Sequence, residues 1–383
     1  MKLAVPRETV GGERRVAATP ETCGKLKKAG FEIFVENGAG EASSFGDSEY
    51  REAGASLTTA DNLYEQADII AKVSAPTEDE TGRLRSGVIL IALLNPLSNG
   101  DLIRRLAEQR VDALAMELMP RITRAQKMDA LSAMSTVTGY SAVLIAASKL
   151  NRFFPMFMTA AGTIKPAKVL VLGAGVAGLQ AIATAKRLGA VVEVFDVRPA
   201  VKEQVESLGA RFVEVEAPAQ NAEDAGGYAK EMSDDYKLKQ KETIAAHVKV
   251  ADVVISTALI PGKPAPVLIT RDMVESMRPD TVIVDLAGEA GGNCELSKFG
   301  ESVLHGGVVI EAPMHLASSL SYHASQMYAR TMAAFVLDVS KDGTLNLDPE
   351  NEIIAGTLVT RGGDIVHERV RATLGEAQAG GGT

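Results

Sequence analysis

Residues 173–178 read Gly-Ala-Gly-Val-Ala-Gly, three glycines in the spacing Gly-x-Gly-x-x-Gly. They follow the apolar run Val169-Leu-Val-Leu172 and open a stretch with helical character that begins at Val176 and ends at Gly189. Where a strand breaks into a helix in this way, each glycine has its own task in holding a dinucleotide. Gly173 permits the tight turn, Gly175 lets a pyrophosphate approach the backbone, and Gly178 lets the helix lie close on the strand. The helix N-terminus then offers free N–H groups and the positive end of its dipole to the phosphates. A plain tight turn spells the same letters, so the sequel carries the inference. A second apolar run, 191–195, ends at Asp196, about 20 residues after the glycines, where a ribose 2′-hydroxyl is held. A carboxylate there repels a 2′-phosphate and favours NAD(H) over NADP(H). Val197 and Arg198 follow directly, and the arginine tempers that selectivity, because a cation can accept the phosphate.

Other chemistry is sparse. His247, His305, His315, His323 and His367 are scattered without metal-ligand spacing, and Cys23 and Cys294 stand far apart, so no metal site is expected. No Gly-x-Ser-x-Gly elbow and no Walker loop occurs. Two irregular stretches remain. Residues 116–135 contain Arg121, Gln126, Asp129 and Ser132 and read as a binding loop or, with equal weight, a solvated linker. Residues 217–241 interrupt the pattern with Ala225-Gly-Gly-Tyr-Ala-Lys-Glu-Met232, in which two glycines give hinge freedom and Tyr228 with Met232 supplies apolar tips. A floppy insertion explains that stretch equally well.

The elements that must position these residues alternate. Short apolar strands near residues 2–5, 31–35, 55–57, 68–73 and 88–94 are separated by helical stretches, the rhythm of a parallel sheet covered on both faces. After the fingerprint the rhythm resumes, with strands near 211–215, 252–256 and 281–285, the last leaving through Gly288-Glu-Ala-Gly-Gly292. Helical stretches at 136–150 and 318–339 read as linkers between domains, and Arg361-Gly-Gly-Asp364 as a hairpin turn. The fold class is therefore α/β, with two Rossmann-like doubly wound parallel-sheet domains joined by long linker helices. Residues 1–131 and 318–383 are expected to form one domain and residues 132–317 the NAD-binding one. The small polar tail, 377–383, reads as disordered.

Composition agrees with two such domains. The chain has 383 residues, too many for one ordinary core, with 46% hydrophobic and 23% charged residues and 35 glycines. A net charge of -9 argues against general affinity for nucleic acid. The N-terminus carries charges where a secretory signal needs an apolar run, and neither residues 88–94 nor the fingerprint strand and helix read as a membrane span. A cytoplasmic chain without direct membrane insertion is expected.

Longer motifs are more specific than the glycines. Through Arg14-Arg-Val-Ala-Ala-Thr-Pro20, Lys72-Val-Ser-Ala-Pro76 and the fingerprint, the chain resembles the alanine dehydrogenase and transhydrogenase superfamily. Residues 116–126 and 225–232, with Thr257-Ala-Leu-Ile-Pro-Gly-Lys-Pro-Ala-Pro266, are similar to the NAD(H)-binding component, domain I, of proton-translocating transhydrogenases. Alanine dehydrogenases place a lysine at the third position of Lys-Val-x-x-Pro and a histidine after the next strand; here Ser74 and Asn95 stand there, although Arg15 is kept. An amino-acid dehydrogenase needs ionisable groups to move protons. Direct hydride passage between two nicotinamide rings needs only close, correctly angled approach.

The transhydrogenase resemblance implies that Arg121, Gln126, Asp129 and Ser132 hold the nicotinamide end and pyrophosphate of NADH. Gln126 is then best placed to reach the partner nucleotide. It implies that Gly227 and Tyr228 belong to a mobile loop closing on NAD(H), with Gln240 and Leu259 as further lining. It also implies a homodimer, an NADP(H)-binding domain and a membrane proton-channel domain as partners, and a peripheral position at the inner face of the cell membrane. Transfer of hydride from NADH to NADP+ coupled to proton movement is the function so implied. An alanine-dehydrogenase-like enzyme and a non-catalytic NAD(H)-binding module are the alternatives.

Overall fold

The computed structural model describes residues 1–215, 234–260 and 262–380, the side chains of 376–380 excepted. The chain divides into two units, Met1–Met134 with Ala317–Thr383, and Ser135–Leu316. In the first unit, strands Ser56–Thr58, Glu32–Glu36, Lys2–Val5, Ile69–Ala71, Ile89–Ala92 and Asp112–Ala115 lie side by side in that order, all parallel. The later hairpin of Leu358–Arg361 and Asp364–Ile365 extends this sheet by two antiparallel strands. Gly362 and Gly363 turn that hairpin with φ of 61° and 112°, values that a side chain disfavours. Ile69, Ile70, Leu90 and Ile91 are fully buried, which is why these strands read as unbroken apolar runs rather than alternating ones.

The second unit holds the fingerprint. Its seven strands run in the order Arg211–Phe212, Val191–Phe195, Lys168–Leu172, Val253–Ser256, Thr281–Asp285, Val308–Glu311 and Ser302–His305. All are parallel except the last, which pairs antiparallel with Val308–Glu311. From Lys168–Leu172 the chain first builds outward on one side, then returns to build on the other. That reversal opens a crevice at the carboxyl ends of Lys168–Leu172 and Val253–Ser256, the place where doubly wound sheets bind ligands.

Several boundaries differ from the sequence expectation, each for a local reason. Helix Ala130–Lys149 starts six residues earlier than the pattern of 136–150 predicts, because Asp129 caps it, so Ser132 lies in its first turn rather than in a loop. This helix has the length and mean hydropathy, 1.4, of a membrane-crossing segment. Its Ala142, Val143 and Ala146 are fully buried in the second unit's core, so its apolar residues serve packing. Helix Asp234–Val248 likewise begins before the expected 244 and includes Gln240. Residues 377–380, expected to be disordered, continue the helix Glu368–Gly380. A hairpin of Phe157–Thr159 and Gly162–Ile164, exposed throughout, was not legible in the sequence.

Candidate functional site

Strand Lys168–Leu172 runs directly into the glycine turn, and helix Val176–Arg187 leaves it. Gly173 has φ of 100°, and a Cβ on it would lie 2.6 Å from the Thr257 Oγ1. A Cβ on Gly178 would lie 1.9 Å from the Gly173 carbonyl oxygen, so the first turn of the helix rests on the strand exit only because position 178 has no side chain. Gly175 differs: a Cβ there meets nothing within 4 Å. Its smallness serves no packing inside the chain and leaves open space beside the helix N-terminus, the shape a pyrophosphate needs. Val176, the first helical residue, is exposed at this rim.

Asp196 sits at the end of the neighbouring strand, nearly buried, and ties the turn together. Its Oδ2 accepts from the Ala174 amide at 2.7 Å, and its Oδ1 from the Arg198 amide at 2.9 Å. The Arg198 guanidinium grips the same carboxylate through Nε at 2.9 Å and a terminal nitrogen at 2.8 Å. The two residues that the sequence sets against each other in nucleotide selection are thus one ion pair. Val197, between them, packs partly buried against the core. Burial, and next the charge of Asp196, push the Tyr236 hydroxyl above its ordinary pKa, which puts this tyrosine of helix Asp234–Val248 near the ribose position. Gln240 is half-buried on the same helix, and Leu259 is 46% exposed after strand Val253–Ser256. Gly227 and Tyr228 lie outside the described residues.

The other predicted residues belong to the first unit. Ala125 and Met128 are buried and anchor the short 3-10 turn Thr123–Met128, leaving Gln126 exposed between them; Arg121, just before it, is exposed too. Arg124 binds Asp338 of helix Ser321–Asp338, through Nε at 3.0 Å, and so pins the turn. Asp129 and Ser132 come together as a helix cap: Asp129 accepts from the Ser132 amide at 2.8 Å and the Ser132 hydroxyl at 2.5 Å.

Near the N-terminus, Arg15 Nε and a terminal nitrogen bind Glu13 at 2.8 and 2.6 Å, and the Ser74 hydroxyl donates to the same carboxylate at 2.9 Å. Burial works to raise the Glu13 pKa, but the hydrogen bonds and charge of Arg15 prevail and hold it at about 2. Lys72, fully buried, is shared by Glu8 at 3.1 Å and Glu80 at 2.8 Å. Asn95 adopts φ of 51°, and its amide donates with that of Leu94 to Glu117 Oε1. Among the described residues, Glu117 Oε2 is sealed and has no hydrogen-bond partner; burial pushes this carboxyl up to about 7. No feature of the sequence marked Glu117.

The model for the N-terminal domain of alanine dehydrogenase/PNT matches residues 4–138, and that for the C-terminal domain matches residues 142–368. The chain belongs to the alanine dehydrogenase/PNT family. Within that family it is 50% identical over 376 residues to the first of the polypeptides that make up NAD(P) transhydrogenase subunit alpha in Rhodospirillum rubrum, covering 96% of this chain and 98% of that protein. It is 31% identical over 383 residues to the alanine dehydrogenase of Mycobacterium tuberculosis, with 98% and 97% covered. The structure of transhydrogenase from Sinorhizobium meliloti superposes with a TM-score of 0.88 at 44% identity, covering 96% of this chain and 100% of that one. The two-domain architecture of the alanine dehydrogenase/PNT family is thereby established for this chain, as is its greater likeness to the transhydrogenase members.

Proposed function

We propose that this chain is the NAD(H)-binding component of a proton-translocating transhydrogenase. The observation that carries the reading is the glycine turn, where Gly173 and Gly178 are filled by the chain itself and Gly175 faces open space beside a helix N-terminus. Gly173, Gly175, Val176 and Gly178 would hold the pyrophosphate, and Asp196 with Val197 and Arg198 the ribose. Gln240, Leu259, Gly227 and Tyr228 would line the remainder. When bound, NADH supplies the hydride. Arg121, Gln126, Asp129 and Ser132 orient the nicotinamide end toward NADP+ on a partner domain, with Gln126 closest to that nucleotide. Ser74 and Asn95 offer no acid or base of the kind that an amino-acid dehydrogenase uses, and hydride passage between two rings requires none.

In this reading the chain works as a homodimer beside an NADP(H)-binding domain and a membrane proton-channel domain. It sits at the inner face of the cell membrane through those partners. The 50% identity to a protein named as a piece of transhydrogenase subunit alpha supports that arrangement. The test at the site is Gln126→Asn: its side chain keeps the amide and loses one methylene of reach. Hydride transfer to partner-bound NADP+ should fall about tenfold or more with NADH affinity nearly unchanged. Equal losses in rate and affinity would contradict a positioning role.

A further inference from the structure

The glycine-rich exit of strand Thr281–Asp285 has a task that the fingerprint does not explain. Asn293, fully buried, follows Gly291 and Gly292, whose φ of 99° and 87° bend the chain back. Its side-chain oxygen accepts from the Ala258 amide at 3.0 Å, and its nitrogen donates to the carbonyls of Ala258 at 2.9 Å and Pro266 at 2.8 Å. One side chain thus holds both ends of the segment after strand Val253–Ser256, the segment that carries Leu259. Asp285 fixes the turn that presents it, accepting from the amides of Ala287 at 3.0 Å and Cys294 at 2.9 Å and from the Ser297 hydroxyl at 2.6 Å. Gly292 is required there, since a Cβ would lie 2.9 Å from the Asp285 carboxylate.

The clamp reaches the nucleotide turn through Thr257. Its hydroxyl donates to the Gly173 carbonyl at 3.0 Å, and the same oxygen is the nearest neighbour of the Gly173 Cα face. We infer that Asn293 is a positioning residue for dinucleotide binding: it fixes Ala258 and Thr257 against the glycine turn, and so sets the floor on which the pyrophosphate and the Leu259 side of the pocket are built. This rests on the proposed NAD(H) reading. A buried amide that satisfies three backbone groups has no isosteric substitute. Asn293→Asp keeps the shape but turns two donated bonds into contacts between oxygens, and Asn293→Ala leaves all three groups unpaired.

The test compares NADH binding by the full chain, followed by nucleotide fluorescence, for wild type, Asn293→Asp, Asn293→Ala and the control Arg278→Ala. Arg278 pairs with Asp252 at 2.7 Å, at the opposite end of the sheet, so its loss lowers stability away from the turn. Both Asn293 variants should bind NADH about tenfold more weakly or worse, while Arg278→Ala stays within about twofold of wild type. Amide exchange at Ala258 should speed up in Asn293→Ala without nucleotide present. Wild-type affinity in both Asn293 variants, or an equal loss in Arg278→Ala, would overturn the clamp and leave the NAD(H) reading standing. A wild-type chain that binds no NADH would overturn both.

Discussion

Gly175 and Gly178 lie three residues apart and answer to different demands. A methyl group at 178 must push the Gly173 carbonyl, whereas one at 175 meets only open space. Gly178→Ala should therefore lower stability by about 1–3 kcal/mol, visible as an earlier thermal transition of the second unit. Gly175→Ala should melt as wild type yet weaken NADH about tenfold or more, measured by nucleotide fluorescence. The reverse pattern would show that 175 is a packing glycine. Glu117 makes a different claim at the same scale. Its carboxyl titrates at about 7 in the folded chain, against an ordinary glutamate near 4.3, so the folded state binds the proton more tightly than the unfolded state. The stability this contributes is complete below the unfolded pKa and is lost as pH rises through about 7, a difference on the order of 3 kcal/mol. Denaturation at pH 5 and pH 8 should show wild type losing more stability than Glu117→Gln across that interval; parallel profiles would contradict the sealed carboxyl.

At the scale of elements, what positions the loop is capping and ion pairing rather than hydrophobic pattern. Asp129→Ala should cost about 1 kcal/mol by uncapping helix Ala130–Lys149, and Asp129→Asn should retain most of it. Thermal melting of the two variants decides this, and equal midpoints would remove the cap from the explanation. The same cap shows why the sequence was only partly legible. The period of apolar residues is clear from residue 136 onward, but the first turn of the helix is polar, and Asp-x-x-Ser is too short a signal to outweigh the surrounding irregularity. Gln240 was hidden in the same way, on a helix whose early turns carry charge instead of an apolar face. The two central sheets were legible because strands buried on both faces spell uninterrupted Val, Leu and Ile. The Asn293 clamp and the Glu117 contacts were not, because they join residues 35 and 22–23 positions apart through side chains that leave no periodic trace.

At the scale of the whole molecule, each unit is a doubly wound sheet, and a likeness spanning nearly the full chain places both in the alanine dehydrogenase/PNT family. Two members of that family mark the choice of chemistry, an alanine dehydrogenase at 31% identity and a transhydrogenase subunit at 50%. The glycine turn suits both, so the choice rests on what stands where proton transfer would occur. Ser74 donates to Glu13 and Asn95 holds a strand exit through its backbone; neither can take up or release a proton near neutral pH. The decisive measurement mixes the purified chain and NADH either with NADP+ and the NADP(H)-binding domain of a transhydrogenase, or with pyruvate and ammonia. NADPH should form in the first mixture, and NADH should persist in the second. Oxidation of NADH by pyruvate and ammonia, with no NADPH formed from NADP+, would contradict the assignment as a transhydrogenase component.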